Sequence, residues 1–420
     1  MNSRAALLVL IACGLALASI ITRRGEILAL GIPFLTYLLV ALIQAPGKLA
    51  LAVSRKTDRS SVLAGESVRV ELSLTNLGAA LANLRVEDDL PYCARMVEGE
   101  RQQTFSLAAG ASAAMSYVFQ GARGTWAWES VRTVAADPLG LFEIRTPILA
   151  SGEVVIRPTP LGLPSLPFRP RRTLHTAGPV PVPLAGSGTD FLGIREYQPG
   201  DALRRINWRL AARHPGRLYT NEHERHEVGD FGLILDARQA EKDVFERAVS
   251  AAASLAECIL RDGNRLSLLV FGRSMTATFP GYGKRQLSLI LRGLAGSSPS
   301  PNVPLDYLEY FPSRLFPRQA ILVMISSPRP RDTEMYSRLR AAGYEILLFS
   351  PDPIDTAAGG PNNDRRHDQG IRAARIERRV TLLSLSRLGV HIVDWQLQEP
   401  IGAALDALAP HRLHRRNLAA

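Results

Sequence analysis

The sequence predicts a multidomain membrane protein: an N-terminal transmembrane helical hairpin, an antiparallel β-sandwich, and an α/β domain on a parallel sheet. Three observations carry this reading. Residues 5–22 and 27–45 are apolar runs close to the roughly 20 residues that cross a bilayer core. Residues 61–158 show short period-two alternations broken by turns. From Asp230 onward, continuous apolar strands alternate with amphipathic helical patterns, the arrangement of a parallel sheet covered on both faces.

The hairpin, residues 1–47, is read from the two runs together. The first run alone also suits a cleaved signal peptide, with small residues such as Ala16, Ala18 and Ser19. A second run comes after a loop holding little more than Arg23, Arg24 and Glu26, too short to fold by itself, so a hairpin accounts for both. Arg4, Lys48, Arg55, Lys56 and Arg59 outnumber Arg23 and Arg24. Lys and Arg are retained on the cytoplasmic side, so the soluble domains of this multi-pass protein are predicted to be cytoplasmic.

The chain has 420 residues, 46% hydrophobic and 21% charged, enough for two or three domains with real cores. An excess of 50 basic over 39 acidic residues gives a net charge of +11, which favours an anionic surface: lipid headgroups, nucleic acid or an acidic protein. The three cysteines, Cys13, Cys93 and Cys258, include one inside an apolar run, so no secreted disulfide framework is present.

In the sandwich, residues 55–158, SVRVELSLTN places Val68, Val70, Leu72 and Leu74 on one face, and further strands are predicted at 84–86, 114–119, 131–135 and 154–157. Trp126 and Trp128 are read as packing residues. Residues 159–190 are rich in proline, with Arg169, Arg171 and Arg172, and are predicted to be an extended linker rather than a packed sheet. In the α/β domain, residues 230–417, strands are predicted at 231–235, 266–271, 320–325, 345–349 and 391–395. Helices are predicted at 244–260, 286–294, 332–342, 378–387 and 401–408, and residues 356–374, with Gly359, Gly360, Asn362 and Asn363, as a polar loop.

Between linker and α/β domain, residues 191–229 interleave charges with apolar side chains. FLGIREYQPGDALRRINW brings Arg195, Glu196, Asp201, Arg204, Arg205 and Arg209 among Phe191, Ile194, Tyr197, Ile206 and Trp208, which predicts local pairing beside buried aromatics. Pro199, Gly200 and Asp201 read as a tight turn, with Asp201 capping the segment that carries Arg204, Arg205 and Trp208. The candidate site residues are Gly193, Arg195, Glu196, Tyr197, Gly200, Asp201, Arg204, Arg205 and Trp208, either as internal ties or as a docking face.

This run, continued to Tyr219 and by the strand ending at Asp236, resembles the signature of the domain of unknown function 58 family. The resemblance implies a hairpin in the bacterial inner membrane, a sandwich, the signature and a von Willebrand factor A-like, Rossmann-type α/β domain. Residues 137–142, DPLGLF, resemble the turn that closes the family's sandwich, and 121–128 the strand before it. The resemblance also implies a MoxR-type AAA+ ATPase as partner, in protein maturation or envelope-related roles.

Von Willebrand factor A folds commonly hold a divalent cation at a D-x-S-x-S loop. Here that loop reads Asp236, Ala237, Arg238, Gln239, Ala240, and the next aspartate after Ser326 and Ser327 is Asp332. Both serines are missing and Arg238 adds a positive charge, so no conventional metal site is expected, and Asp236 is expected to pair with an arginine or cap a helix. His223 and His226 in NEHERHE fall on opposite sides of a strand and do not form a cluster. The G-x-S-x-G, phosphate-loop and H-E-x-x-H patterns are absent, so no cofactor and no enzymatic activity are expected. The leading reading is a membrane-anchored, non-catalytic adaptor or assembly factor in contact with the lipid bilayer. The alternatives are a nucleic-acid-binding protein, disfavoured by the interleaved acids, and a metal-dependent hydrolase using a residual site at Asp236.

Overall fold

A computed structural model of the chain describes residues 3–92, 94–163, 174–214, 216–238, 241–272, 275–300, 314–318, 320–354 and 365–406. The chain divides into two compact units, Met1–Arg157 and Pro158–Ala420.

In the first unit, α1 (Ser3–Thr22) and α2 (Gly25–Ile43) form two helices long and apolar enough to cross a membrane. Small residues Ala5, Ala12, Gly31 and Ala41 are buried, whereas Leu10, Ile20, Leu30 and Ile43 are exposed. Ala5 and Ala41 share a small core with Leu141, while the large apolar side chains of both helices point outward, a distribution that suggests membrane association. Arg23, at φ 50°, makes the turn between them.

The sandwich is built from nine strands: β1 (Leu51–Thr57), β2 (Ser61–Leu63), β3 (Ser67–Asn76), β4 (Leu81–Glu87), β5 (Arg95–Gly99), β6 (Gln102–Leu107), β7 (Ser112–Gln120), β8 (Gly124–Ala136) and β9 (Glu143–Arg157). One sheet runs β1-β3-β7-β5 and the other β2-β9-β8-β4-β6. All pairs are antiparallel except β2 with β9, which run parallel. Val68, Val70, Leu72 and Leu74 have no exposed surface, as the period-two pattern requires. Trp128 is buried edge-on against Phe119 and donates to the Asp89 carbonyl at 2.6 Å. The 137–142 turn is held by Asp137, whose carboxylate accepts from the Leu139 amide at 2.9 Å and the Phe142 amide at 2.6 Å. Arg55, read from sequence as a flanking positive charge, lies fully buried and paired with Asp88, while Tyr117 donates to the same carboxylate at 2.7 Å.

The second unit opens with an antiparallel ribbon of β10 (Leu174–Glu196) and β11 (Tyr219–Val228). This corrects the linker expectation for residues 174–190. Pro179 and Pro183 fall where the register shifts, between Ala177 and Val180 and between Val182 and Ala185, so the ribbon accommodates residues that lack a backbone donor through irregular pairing. Arg169, Arg171 and Arg172 lie outside the described residues.

The α/β sheet contains β12 (Asp230–Asp236), β13 (Arg265–Phe271), β14 (Thr276–Gly281), β15 (Ile321–Ile325), β16 (Glu345–Pro351) and β17 (His391–Trp395), in the order β14-β13-β12-β15-β16-β17. Five strands are parallel and the edge strand β14 is antiparallel, so the sheet is mixed rather than purely parallel. On one face, α4 (Lys242–Arg261) and α5 (Gly283–Ala295) pack Ala252, Leu255 and Ile290 onto Leu233 and Leu235. On the other, α6 (Thr333–Ala341) and α7 (Arg365–Arg387) bring Tyr336, Leu339 and Leu385 onto Ile234 and Met324. A short α8 (Ile401–Asp406) comes after β17. Helix α7 begins at Arg365, which corrects the loop expectation for residues 365–374. Arg, Ala, Glu and Leu are good helix formers and outweigh the single Gly370. Residues 356–364, with their glycine and asparagine pairs, fall outside the described residues.

Candidate functional site

Two clusters of charge stand out in the second unit. The first is buried at the carboxyl ends of the parallel strands, where open α/β sheets place their ligands. Asp236 ends β12 and Ser326 comes directly after β15; Asp332 ends a 3-10 turn, Pro330–Asp332, that leads into α6. Arg238 lies between the two carboxylates. It donates from Nε to Asp236 Oδ1 at 2.9 Å and from Nη2 to Asp236 Oδ2 at 2.7 Å, and to Asp332 from Nη1 at 3.1 Å and Nη2 at 2.8 Å. Ser326 Oγ donates to Asp236 Oδ2 at 2.6 Å, and the Arg329 amide donates to Asp332 Oδ2 at 2.8 Å. The Arg238 side chain is 4% exposed and those of both aspartates 5%. Burial alone would lower the Arg238 pKa, but the hydrogen bonds it makes to Asp236 and Asp332 outweigh it and hold the guanidinium above its ordinary value. Tyr336, fully buried beneath, is pushed up by burial and by the two carboxylates.

This set does not fit the divalent cation that the fold resemblance implies. The guanidinium fills the space between the two carboxylates that converge there, and a cation would first have to displace it. Asp236 thus pairs with an arginine, as expected from the sequence. Asp332, the other half of the clamp, was not foreseen. The clamp borders a cavity of about 360 Å³, lined among others by Glu241, Arg329, Glu377 and Arg378.

The second cluster is the signature. Arg195, at the end of β10, grips Asp201 through both terminal nitrogens at 2.8 and 2.7 Å, and donates from Nε to Glu222 of β11 at 2.8 Å. Asp201 also accepts from the Gln198 amide at 2.9 Å, closing a turn in which Gly200 adopts φ +110°. The Arg195 hydrogen bond, then the Gln198 amide, hold the Asp201 carboxyl below the usual carboxylate range. Asp201 therefore ties the turn to the ribbon instead of acting as a helix cap, and the 3-10 turn Leu203–Arg205 has no side-chain cap. Glu196 is exposed and pairs with Arg217 at 3.3 Å, the Tyr197 amide donates to the Leu218 carbonyl, and Gly193 sits opposite Glu222 in the register.

The aromatics are not buried as expected. Trp208 is 64% exposed and Leu203 67%, while Ile206 turns inward, bridging to Thr220. Trp208 opens α3 (Trp208–Ala211), a single turn too short to cover it. Asn207, missed from sequence, fixes this turn. Its side chain caps the Leu210 amide at 3.0 Å and donates to Asn221 Oδ1 at 2.9 Å, and its own amide donates to the Tyr219 carbonyl. The N-cap residue type before a helical turn was the available signal. Arg204 and Arg209 are exposed, and Arg205 is half-buried. The side chains of His223 and His226 lie outside the described residues, and among the described residues no His, Cys, Asp and Glu group is arranged to hold a metal.

Residues 193–353, from the signature through β16, match the family described as "Protein of unknown function DUF58". The uncharacterized protein YeaD of Bacillus subtilis is 26% identical over 273 residues, covering 62% of this chain and 68% of the relative. The matches support the DUF58 family. The uncharacterized protein Rv1480 of Mycobacterium tuberculosis is 32% identical over 187 residues, 41% of this chain, and the match spans 58% of that relative's length. Among solved structures, the CARDB domain of a Pyrococcus furiosus protein aligns with 26% of this chain and 93% of its own at 14% identity and a TM-score of 0.19. The proximal thread matrix protein 1 of the mussel byssus aligns with 30% of this chain and 38% of its own at 13% identity and a TM-score of 0.25. The DUF58 match thus covers both charge clusters, and the family's description assigns no activity to either.

Proposed function

We propose that this DUF58 protein is a membrane-anchored, non-catalytic adaptor or assembly factor. Its hairpin holds it in a bacterial inner membrane with the soluble units on the cytoplasmic side. Its α/β unit is of von Willebrand factor A type, and it works with a MoxR-type AAA+ ATPase in protein maturation or envelope-related processes. One observation supports the reading most: Trp208 is exposed on a turn that Asn207 pins to the ribbon, in a stretch where Leu203, Arg204 and Arg209 are exposed as well. Exposed tryptophan and arginine are the side chains that dominate protein–protein contacts, tryptophan because it buries large area at little conformational cost and arginine because it donates several hydrogen bonds at once. The Arg238 clamp supports a non-catalytic role, since it commits both buried aspartates to an internal cation.

The test is crosslinking in intact cells, purification of the tagged chain from membranes, and mass spectrometry of the proteins and nucleic acid that accompany it. We expect an AAA+ ATPase with the wild type. Trp208→Ala or Arg204→Ala should lose it while leaving the melting temperature unchanged. Recovery of nucleic acid in its place, or undiminished capture by Trp208→Ala, would refute the docking role.

A further inference from the structure

Helix α7 carries a face that no described residue of the second unit covers. Its inner side buries Leu382 and Leu385 against the sheet. On its outer side Ile376, Val380 and Leu383 are 65%, 60% and 53% exposed. Their spacing of i, i+4 and i+7 puts them in one stripe at about 100° per residue. Arg372, Arg379 and Arg387 are also exposed, and the same geometry sets them within about 70° of the stripe's centre. The helix's exposed acids, Asp368 and Glu377, fall about 80° or more away.

Beside the stripe lies a hollow of about 420 Å³ lined by Arg375, Arg379, Leu382, Leu383 and Ile392. Two acids also line it, Asp352 and Asp394, but Arg378 faces both, at 3.7 Å from Asp352 and in direct contact with Asp394, and is anchored on Ser350 Oγ at 2.9 Å. Arg378 thus pairs with both carboxylates, although Asp394 stays 61% exposed, and Arg375 and Arg379 give the rim an excess of arginine over an apolar floor. Apolar side chains set among arginines on a helix are what the headgroup and upper acyl region of an anionic bilayer accept: the guanidinium groups meet phosphate and the stripe sinks below it. The two N-terminal helices of the same chain supply the tether that would keep such a surface at high local concentration.

We infer that the outer face of α7 is a second membrane contact, one that docks the α/β unit onto anionic phospholipid. It rests on the hairpin tether alone and not on the adaptor role or its ATPase. Docking would set the orientation of the α/β unit against the bilayer and would respond to lipid charge and salt.

The experiment uses the full chain in nanodiscs of phosphatidylcholine alone or with added phosphatidylglycerol. Leu383→Cys and, as control, Leu289→Cys on α5 are labelled with a soluble maleimide, and the rate at each introduced thiol is read by peptide-resolved mass spectrometry. Leu289 is 48% exposed and belongs to a helix packed on the opposite face of the sheet. Labelling of the L383C thiol should slow about tenfold or more in anionic discs, since each arginine near such a surface is worth about fivefold. High salt, or Arg372→Gln with Arg379→Gln, should restore the rate, and the L289C thiol should be indifferent to lipid. Equal L383C rates in both lipids would overturn the inference, and so would equal slowing of L289C. Protection of L383C in neutral discs by a DNA duplex would overturn the lipid assignment in favour of nucleic acid. A chain that fails to enter the discs would overturn the tether and this contact with it.

Discussion

Arg238 shows how a single residue can decide what a site does. Two carboxylates buried at the ends of parallel strands would repel each other and carry a heavy desolvation penalty; a guanidinium donating to both removes the repulsion and fills their acceptor sites. Arg238→Ala should therefore destabilise the second unit by about 3–5 kcal/mol, because it leaves two buried charges unanswered. Adding Asp332→Asn to that variant should recover part of the loss. Denaturant melts of the single and double variants measure both, and a stability unchanged by Arg238→Ala would remove the clamp's structural role. The Arg195–Asp201 tie makes a pH prediction. Asp201 has a folded pKa below its unfolded value, so its contribution is fully present above the unfolded value of about 3.9 and is lost as pH falls through the lower folded one. Protection of the Gln198 amide against hydrogen exchange, taken relative to its intrinsic rate at each pH, should persist through the ordinary carboxylate range and fall only below it; in Asp201→Asn it should be low throughout. Fast exchange in the wild type at neutral pH would show that the tie does not form.

Elements carry the next layer, and here the sequence was legible where hydrophobic period decides the structure. The five parallel strands, the stripe of Val68, Val70, Leu72 and Leu74, and the α4 face were read because burial on one or both sides leaves a direct trace in residue type. The edge strand β14 was missed, since TATFPG is exposed on an edge and carries no such trace. So was the amino half of α7, whose arginines look like loop until helix propensity is weighed. The signature shows the same limit. Its charges were recognised as paired, but which apolar side chain turns inward depends on tertiary register: Ile206 reaches Thr220 and Trp208 does not. Asp332 could not be joined to Asp236 because only the 3-10 turn at Pro330 folds it back. Two variants test element-level packing. Gly232 lies in β12, where an added Cβ would sit 2.2 Å from the buried Phe316 ring, so Gly232→Ala should cost about 1–3 kcal/mol through overpacking. Asn207→Ala should cost about 1 kcal/mol for the lost cap and loosen the Trp208 turn, visible as lower Trp208 fluorescence anisotropy. A neutral Gly232→Ala would mean that Phe316 has room to move.

At the scale of the whole molecule, the proposed membrane hairpin would govern which compartment every other feature meets. Arg4 lies at the start of α1 and Lys48, Lys56 and Arg59 come after α2, whereas the connecting turn has Arg23 and Arg24. Arg55 joins the same flank during insertion, although in the folded sandwich it is paired with Asp88. Because orientation is set by the nascent chain's basic residues and not by their later pairing, all five count toward the orientation proposed above, with the soluble units on the cytoplasmic side. The expected outcome is concrete. A cysteine in place of Arg24 should react with an impermeant thiol reagent added to spheroplasts, and one in place of Leu289, on the exposed side of α5, should react only after lysis. Moving charge across the hairpin, by replacing Arg4 and Lys48 with neutral residues and adding arginines beside Arg24, should weaken or reverse that pattern. If the Leu289 position is labelled in intact spheroplasts of the wild type, the soluble units face outward. A cytoplasmic AAA+ motor could not then be their partner, and the exposed Trp208 surface would have to serve a ligand on the other side of the membrane.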